Sequence, residues 1–457
     1  MNELMSVLGE YGKCMKNLRF WWILCGFVVM SWLMSGCAVK NFQHEGIKFR
    51  TATELVELLF DSPDVHSGIL VVEADSDQSM PLVDYNSNML FTPASNTKIL
   101  TLASALKFLP ERMAGLAYVH HGDTTYFRGT GDPGFLDPRF YSEDVLAFLK
   151  NQKNLVFLSD WETDQRWGSG WSWDDYPYYY SPQLASFPLY GNMVRAWCDD
   201  DRWHLSPSGI IFNKVHLPGN FRAKRQEFSN IFQVNTARCN SDTIRIPLVW
   251  TPQVASELLS HVVGKQVYVR NILPSWLDSD WKTIPGSYRD SLLYAIMYDS
   301  DNFIAEQTML NISYHLWDTL STLKSIDTMM KSDFNRWTNK IRWVDGSGLS
   351  IYNKFTPRFL VELLGQLWAQ FPPDVVFQYF PAGGVRGTIS SWYGHREGPY
   401  VFAKTGTLSS VHCLSGYLKA DSGRTFIFSM MHNNYLGSSN IYKEKMQTFL
   451  EFLKQNY

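Results

Sequence analysis

Apolar residues at Ile99, Leu102, Ala103 and Leu106 keep the three-and-four spacing of one helix face, directly after the small and polar run Thr92-Pro93-Ala94-Ser95-Asn96-Thr97-Lys98. Proline and small polar residues ahead of a periodic run mark a helix start, so the pattern predicts a helix with Ser95 in its first turn. Upstream, Ile47 to Phe60 has helix-like spacing, Ser67 to Glu73 reads as a strand, and Asp84 to Asn86 with Met89 to Pro93 give a turn and a second strand. After Pro110 the character changes to turns and aromatics, with short strands at Leu155 to Leu158, Ile210 to Phe212, Phe232 to Val234 and Thr243 to Val249 and a helix from Pro252 to Val262. Helical spacing resumes at Leu292 to Met297 and Phe303 to Leu310, with Ser300-Asp301-Asn302 on the turn between them, and Val401 to Thr407 and Val411 to Leu418 read as two linked strands.

Residues three apart share a helix face, so the Lys98 amine can sit beside the Ser95 hydroxyl. A serine is a weak nucleophile until a base takes its proton, and a lysine desolvated by packing and by neighbouring cations can be that base. Ser-x-x-Lys alone is not specific, since Ser104 to Lys107, Ser279 to Lys282 and Ser321 to Lys324 also fit, as Ser438-Ser439-Asn440 fits Ser-x-Asn. What distinguishes Ser95 is its place before a hydrophobic helix, followed in order by Ser300-Asp301-Asn302 and Lys404-Thr405-Gly406. Ser300 is placed to pass a proton between Lys98 and a leaving amine, and the Asn302 amide to bind a substrate carbonyl. Lys404 offers positive charge to a substrate carboxylate and to the Lys98 amine, Thr405 a hydroxyl, and Gly406 a bare edge where substrate backbone can pair. The amides of Ser95 and Thr407 are candidates for an oxyanion hole.

Two further patterns carry weaker alternatives. Phe127 to Phe135 has the glycines of a phosphate loop but lacks its Gly-Lys-Ser/Thr ending, and Asp132-Pro133-Gly134 is turn chemistry. Trp171, Trp173, Tyr178, Tyr179 and Tyr180 are expected to pack inside a small β-rich domain rather than stack on sugar rings.

The apolar segment Phe20 to Met30 follows Lys13, Lys16 and Arg19 and runs into Leu33-Met34-Ser35-Gly36-Cys37, the form of an export signal, with a retained membrane anchor as the other reading. Met15 would itself make an ordinary start for such a signal. A net charge of -3 does not suggest nucleic acid as a partner. Of six cysteines, Cys14, Cys25 and Cys37 lie in this leader, and Cys198 and Cys239 are either a disulfide or two free thiols, while Cys413 reads as a buried strand residue. No cysteines or histidines have zinc spacing, so no metal and no cofactor are expected.

The ordered trio of Ser95-Lys98, Ser300-Asn302 and Lys404-Gly406 is found in penicillin-binding proteins and class A β-lactamases. Gly129 to Pro133, Asp345-Gly346-Ser347-Gly348-Leu349-Ser350 with Asn353 and Thr356-Pro357, and Ala382-Gly383 through Gly387-Thr388 add further landmarks, and the chain resembles the D-Ala-D-Ala carboxypeptidase/endopeptidase family of low-molecular-mass class C penicillin-binding proteins. The resemblance implies an α/β serine transpeptidase/β-lactamase-like domain, an antiparallel sheet with helices on both faces, interrupted by a mostly β accessory domain that is shorter than in larger members. The implied organisation is the catalytic domain over 45–110 and 285–457 with the insertion over 111–284, preceded by the lipoprotein signal and lipidation site that the leader residues themselves suggest over 1–37. The resemblance further implies a Ser95 acyl-enzyme acting on peptidoglycan stem peptides and covalent inhibition by β-lactams. Separately, Leu33 to Cys37 resembles a bacterial lipobox, which implies a periplasmic protein anchored through lipidated Cys37. Ala38 after that cysteine points to the outer membrane. Ile351 and Thr130 depart from the family's pattern, at positions that bear on substrate preference. A serine β-lactamase is one alternative, weakened for class A by the lack of Glu-x-x-Leu-Asn between Ser95 and Ser300, and a non-catalytic envelope lipoprotein binding peptidoglycan or sensing penicillin is another.

Overall fold

A computed structural model describes residues 51–457 apart from 77–79, 141, 161–164, 217–220, 240 and 278–279. The leader with Cys37, and residues 47–50 of the first predicted helix, lie outside the described residues. The chain begins with α1 (Ala52–Phe60), β1 (His66–Glu73), β2 (Val83–Tyr85), a 3-10 turn at Ala94–Thr97 and α2 (Lys98–Phe108). There follow β3 (Arg112–His121), β4 (Thr124–Gly129), α3 (Asp144–Asn151), β5 (Asn154–Leu158), β6 (Met193–Asp199), β7 (Arg202–Ser206), β8 (Phe212–Val215), β9 (Ala223–Arg225), β10 (Phe232–Asn235), β11 (Ile244–Pro247), α4 (Pro252–Val263), β12 (Val267–Arg270) and β13 (Lys282–Tyr288). The last part holds α5 (Arg289–Tyr298), α6 (Asn302–Trp317), α7 (Thr322–Asp333), α8 (Pro357–Gln370), α9 (Pro373–Tyr379), β14 (Val401–Leu408), β15 (Val411–Lys419), β16 (Thr425–Asn433) and α10 (Asn440–Asn456).

One antiparallel sheet, in the order β14-β15-β16-β1-β2, joins the two ends of the chain. β1 lies between β16 and β2 and is buried on both faces, which is why its sequence is a continuous apolar run instead of an alternation. On one face α1 and α10 pack together, with Phe60 stacked on His432 and edge-on to Phe449. On the other, Leu70 and Val72 enter a core with Phe359, Leu360 and Leu364 of α8, behind which α2, α5, α6 and α7 form a helical layer. α2 is therefore enclosed: Leu100, Thr101, Ser104 and Ala105 are buried along with Ile99, Leu102 and Ala103 of the predicted face, while Leu106 is half-buried. The strand predicted over Met89 to Pro93 does not form, Phe91 making only an isolated bridge to Phe355, and β2 lies earlier, where Asp84 and Tyr85 read as part of a turn. Ile210 and Ile211 likewise precede β8, which starts at Phe212.

Between α2 and α5 the chain is largely β. A mixed sheet, β12-β5-β4-β3-β13, has its own core of Phe127, Phe157, Phe187, Leu149 and Leu259, covered by α3 and α4. Two three-stranded sheets, β11-β6-β7 and β8-β10-β9, enclose a third core around Val194, Trp203, Phe232 and Val234. Cys198 and Cys239 are joined there in a disulfide, which decides between the two alternatives, and Cys413 is buried in β15. The glycine-rich stretch after Phe127 is a structural turn, with the buried Asp132 accepting hydrogen bonds from the Gly134 amide (3.0 Å) and from the Ser287 amide (2.8 Å) and hydroxyl (2.6 Å).

Candidate active site

Ser95 sits in the 3-10 turn, one residue after Ala94, whose φ of 47° turns the chain into α2. Lys98, the first residue of α2, is fully buried. Its amine donates to the carbonyl of Ser347 (2.5 Å) and to Oδ1 of Asn302 (2.6 Å), and its third neighbour is Ser95 Oγ at 3.0 Å. The first two partners can only accept, so each takes an N–H. A neutral amine has two N–H groups and one lone pair, and the lone pair is left facing the Ser95 hydroxyl. Burial lowers the Lys98 amine to about 8, against the opposing pull of Asp345, Glu306 and Asp301. Of the two causes expected from the sequence, desolvation by packing and a neighbouring cation, it is desolvation that lowers Lys98. Lys404 is itself pushed well down, by burial and by the charge of Lys98.

Ser300-Asp301-Asn302 forms the turn between α5 and α6, as the spacing predicts. Ser300 has φ of 56°, and Asp301 caps α6 by accepting from the Ile304 amide at 3.1 Å. The other Asp301 oxygen meets Arg139 (2.8 Å), whose second arm meets the buried Asp137 (2.9 Å), which also holds Arg195 of β6. Ser300 Oγ accepts from the Lys404 amine at 2.9 Å. Asn302 Oδ1 serves Lys98, and its Nδ2 donates to the Tyr180 carbonyl at 3.0 Å, so the side chain expected to bind a substrate carbonyl also fixes the lysine.

β14 is the edge strand beside the serine, and Asn96 stitches the two together by donating to the Lys404 carbonyl at 2.9 Å. Asn96 is held in turn by the Ser415 hydroxyl at 2.5 Å. Thr405 donates to the Thr388 hydroxyl at 2.8 Å, and the Thr407 hydroxyl lies 2.9 Å from His412 Nδ1. The requirement for glycine at 406 differs from the expectation. A Cβ there would lie 2.4 Å from the Pro93 carbonyl and 3.0 Å from the Asn96 amide, so Gly406 admits the protein's own serine turn.

Ser95, Ser300, Asn302 and Thr407 open onto a cavity of ≈ 670 Å³, whose far wall carries Tyr179, Tyr180, Arg245 and Ile351. The five candidate catalytic residues thus come together, with Lys98 and Lys404 beneath the floor. Several supporting residues had no role in the sequence reading. The buried Glu306 accepts from the Ser347 amide at 2.8 Å, behind the carbonyl that holds Lys98, and burial together with Asp345 raises its carboxyl to about 8. Asp345 gathers the Gly348 amide (2.8 Å), the Ser350 amide (2.8 Å), the Asn353 amide group (2.6 Å) and the Trp171 indole (2.9 Å). Gly348, at φ of 81°, leaves room for the Ala94 carbonyl, which a Cβ would meet at 1.9 Å. The Asp345 to Ser350 landmark was visible as a motif; only the fold shows that it is the back wall of the lysine site.

The model of the D-Ala-D-Ala carboxypeptidase 3 (S13) family matches residues 51–203 and 290–456, well over half of the chain. A D-alanyl-D-alanine carboxypeptidase of Haemophilus influenzae is 23% identical over 449 residues, covering 86% of this chain and 90% of the relative. The D-alanyl-D-alanine carboxypeptidase of Actinomadura sp. is 24% identical over 455 residues, covering 86% and 82%. Among solved structures, penicillin binding protein 4 of Haemophilus influenzae superimposes with a TM-score of 0.70 at 18% identity, over 89% of this chain and 100% of that one.

Proposed function

The chain belongs to the D-Ala-D-Ala carboxypeptidase 3 (S13) family, and from that premise we propose that Ser95 is the nucleophile of a serine carboxypeptidase/endopeptidase acting on peptidoglycan stem peptides. The observation that carries this reading is the Lys98 amine, held by two acceptors 3.0 Å from Ser95 Oγ, so that in its neutral form the lone pair faces that hydroxyl. In the acylation step Lys98 takes the serine proton as Ser95 Oγ bonds to the carbonyl carbon of the penultimate D-alanine. The amides of Ser95 and Thr407 stabilise the oxyanion. The C–N bond then breaks, the leaving amine receives a proton through Ser300, and water later releases the acyl group by the reverse sequence. Thr405 is placed to meet the substrate's terminal carboxylate, and Lys404, buried behind Ser300, supplies positive charge beneath it. The carboxylate's negative charge favours the protonated amine that burial otherwise disfavours. β-Lactams, which present a strained amide in the same place, acylate Ser95 covalently.

Purified protein lacking residues 1–37, incubated with intact muropeptides and followed by mass spectrometry, should release D-alanine or resolve cross-linked dimers. Ser95→Ala should do neither and should take up no fluorescent penicillin; labelling of that variant would remove Ser95 as nucleophile.

We also propose that the chain is exported to the periplasm and anchored to the envelope, on the outer membrane, through Cys37. The basic residues and apolar run ahead of Leu33-Met34-Ser35-Gly36-Cys37 support this, and a disulfide between Cys198 and Cys239 suits an oxidising compartment. Cys37→Ala should move the protein from the membrane to the soluble fraction, and unchanged fractionation would contradict the anchor.

A further inference from the structure

Of the aromatic residues of 171–180, Trp173, Tyr178 and Tyr179 do not pack inside the β-rich region as the sequence leads one to expect, while Trp171, Tyr176 and Tyr180 are half-buried. Trp173 is 89% exposed and Tyr179 54%, and Phe228, on a neighbouring loop, is 85% exposed. Exposure here does not follow from a loose segment, because the backbone carrying these rings is tied down at both ends. The Ser350 hydroxyl donates to the Ser169 carbonyl (2.6 Å) and the Trp171 indole to Asp345 (2.9 Å) at one end, and Asn302 donates to the Tyr180 carbonyl (3.0 Å) at the other. In the middle, the Tyr176 hydroxyl donates to the Glu227 carbonyl at 2.7 Å. The strap is fastened to the reaction site and to the loop at Glu227, and between those ties Trp173, Tyr178 and Tyr179 face water. Large apolar rings held in solvent forgo the stabilisation of burial, and a cluster of them marks a surface that something else covers.

The surface is continuous with the reaction cavity. Tyr179 and Arg245 line both that cavity and an adjoining groove of ≈ 840 Å³, which Trp173, Tyr178 and Phe221 also border. Trp173 and Tyr176 lead on into a hollow of ≈ 400 Å³ that ends at Phe228. Charged side chains interrupt the rings: Arg225 lies over Tyr176 and Arg245 over Tyr179, and Asp174 and Glu227 also line the groove.

We propose that this trough is a docking surface for the glycan strand that carries the stem peptide. The inference rests on the peptidase reading above. A stem peptide whose D-Ala end lies at Ser95 has its other end on a sugar, and the cavity's open extension past Tyr179 and Arg245 leads onto the trough. A pyranose ring has a C–H face that suits the negative face of an aromatic ring, and an equatorial rim of hydroxyl and acetamide groups that suits arginine, aspartate and glutamate. A lining that alternates rings with charges matches that chemistry better than it matches an apolar protein partner, whose interface would be depleted of charge at its centre.

The test uses peptide-free glycan chains, prepared by removing stem peptides with an amidase, and the variants Trp173→Ala and Phe228→Ala, singly and combined. Both residues lie outside the reaction cavity and are almost fully exposed, so fluorescent penicillin labelling and D-alanine release from a free pentapeptide should match wild type, which also reports folding. Affinity for peptide-free glycan, and turnover of polymeric peptidoglycan, should each fall about tenfold in the double variant, the effect of ~1.4 kcal/mol of lost contact. Wild-type protein that does not bind peptide-free glycan, or variants that bind it as well as wild type, would overturn the proposal. Loss of polymer turnover without loss of glycan affinity would also overturn it, and would assign the trough to peptide or protein. Failure of the peptidase reading shows separately, as Ser95→Ala that still labels while glycan binding remains measurable.

Discussion

At the scale of single residues, the chemistry turns on the protonation of Lys98. Its amine is lowered to about 8 by burial, so below that pH the protonated form dominates and has no lone pair for the Ser95 proton. The second-order rate of acylation by fluorescent penicillin should therefore rise with pH through about 8 and level off above it. A rate that stays flat from acid to alkaline pH would remove Lys98 as the base. The sequence disclosed the pair because three-residue spacing and a helix start are local features. It points to desolvation by packing, but not to the groups that supply it. That depends on enclosure of α2 from all sides and on Ser347 and Asn302, which are far away in the chain. Glu306 was invisible for the same reason: on a helix pattern it reads as a solvated acid, and only the fold puts it behind the Ser347 amide.

At the scale of elements, the site is a fit between a strand and a turn. β14 passes so close to the Ala94–Thr97 turn that the position facing it must lack a side chain, and Asn96 fastens the pair by its bond to the Lys404 carbonyl. In Gly406→Ala the methyl group would lie 2.4 Å from the Pro93 carbonyl, a backbone atom that cannot rotate away. The strand and turn must separate, with an expected cost of about 1–3 kcal/mol. The variant should show a lowered melting temperature and a large loss of penicillin labelling, whereas a wild-type labelling rate would mean that the contact is not tight in solution. β14 and β15 are legible as apolar runs, whereas nothing local in β16, equally apolar, shows that it joins the chain's first strand to its last ones. β3 and β4 form a hairpin across the two-residue link Gly122-Asp123, but Gly115, His120, His121, Thr124 and Thr125 break up the apolar pattern of the strands themselves. The aromatic strap was misread because a cluster of rings is usually core, and its ties to Ser350, Asp345 and Asn302 are all long-range.

At the scale of the whole molecule, the catalytic core and the small-sheet lobe have separate hydrophobic centres, one around α2, α6 and α8 and the other around Trp203 and Phe232. The lobe's core is small, and small cores depend on cross-links. The Cys198–Cys239 disulfide spans a separation of 41 residues, and closing a loop of that size removes about 4 kcal/mol of unfolded-chain entropy in the simple chain model. Because the centres are distinct, the cost of losing it should stay local. The double variant Cys198→Ser/Cys239→Ser should show an earlier calorimetric transition or proteolytic nicking within residues 193–247, while Ser95 still takes up penicillin at temperatures below that transition. If glycan docks along the trough between lobe and reaction cavity, the same variant should lose polymer turnover before it loses penicillin labelling, because Arg245 and the rings around it depend on the small sheets for their placement. Simultaneous loss of both activities on heating would show that the lobe and the catalytic core unfold as one unit, and the separation of the two centres would then have no energetic meaning.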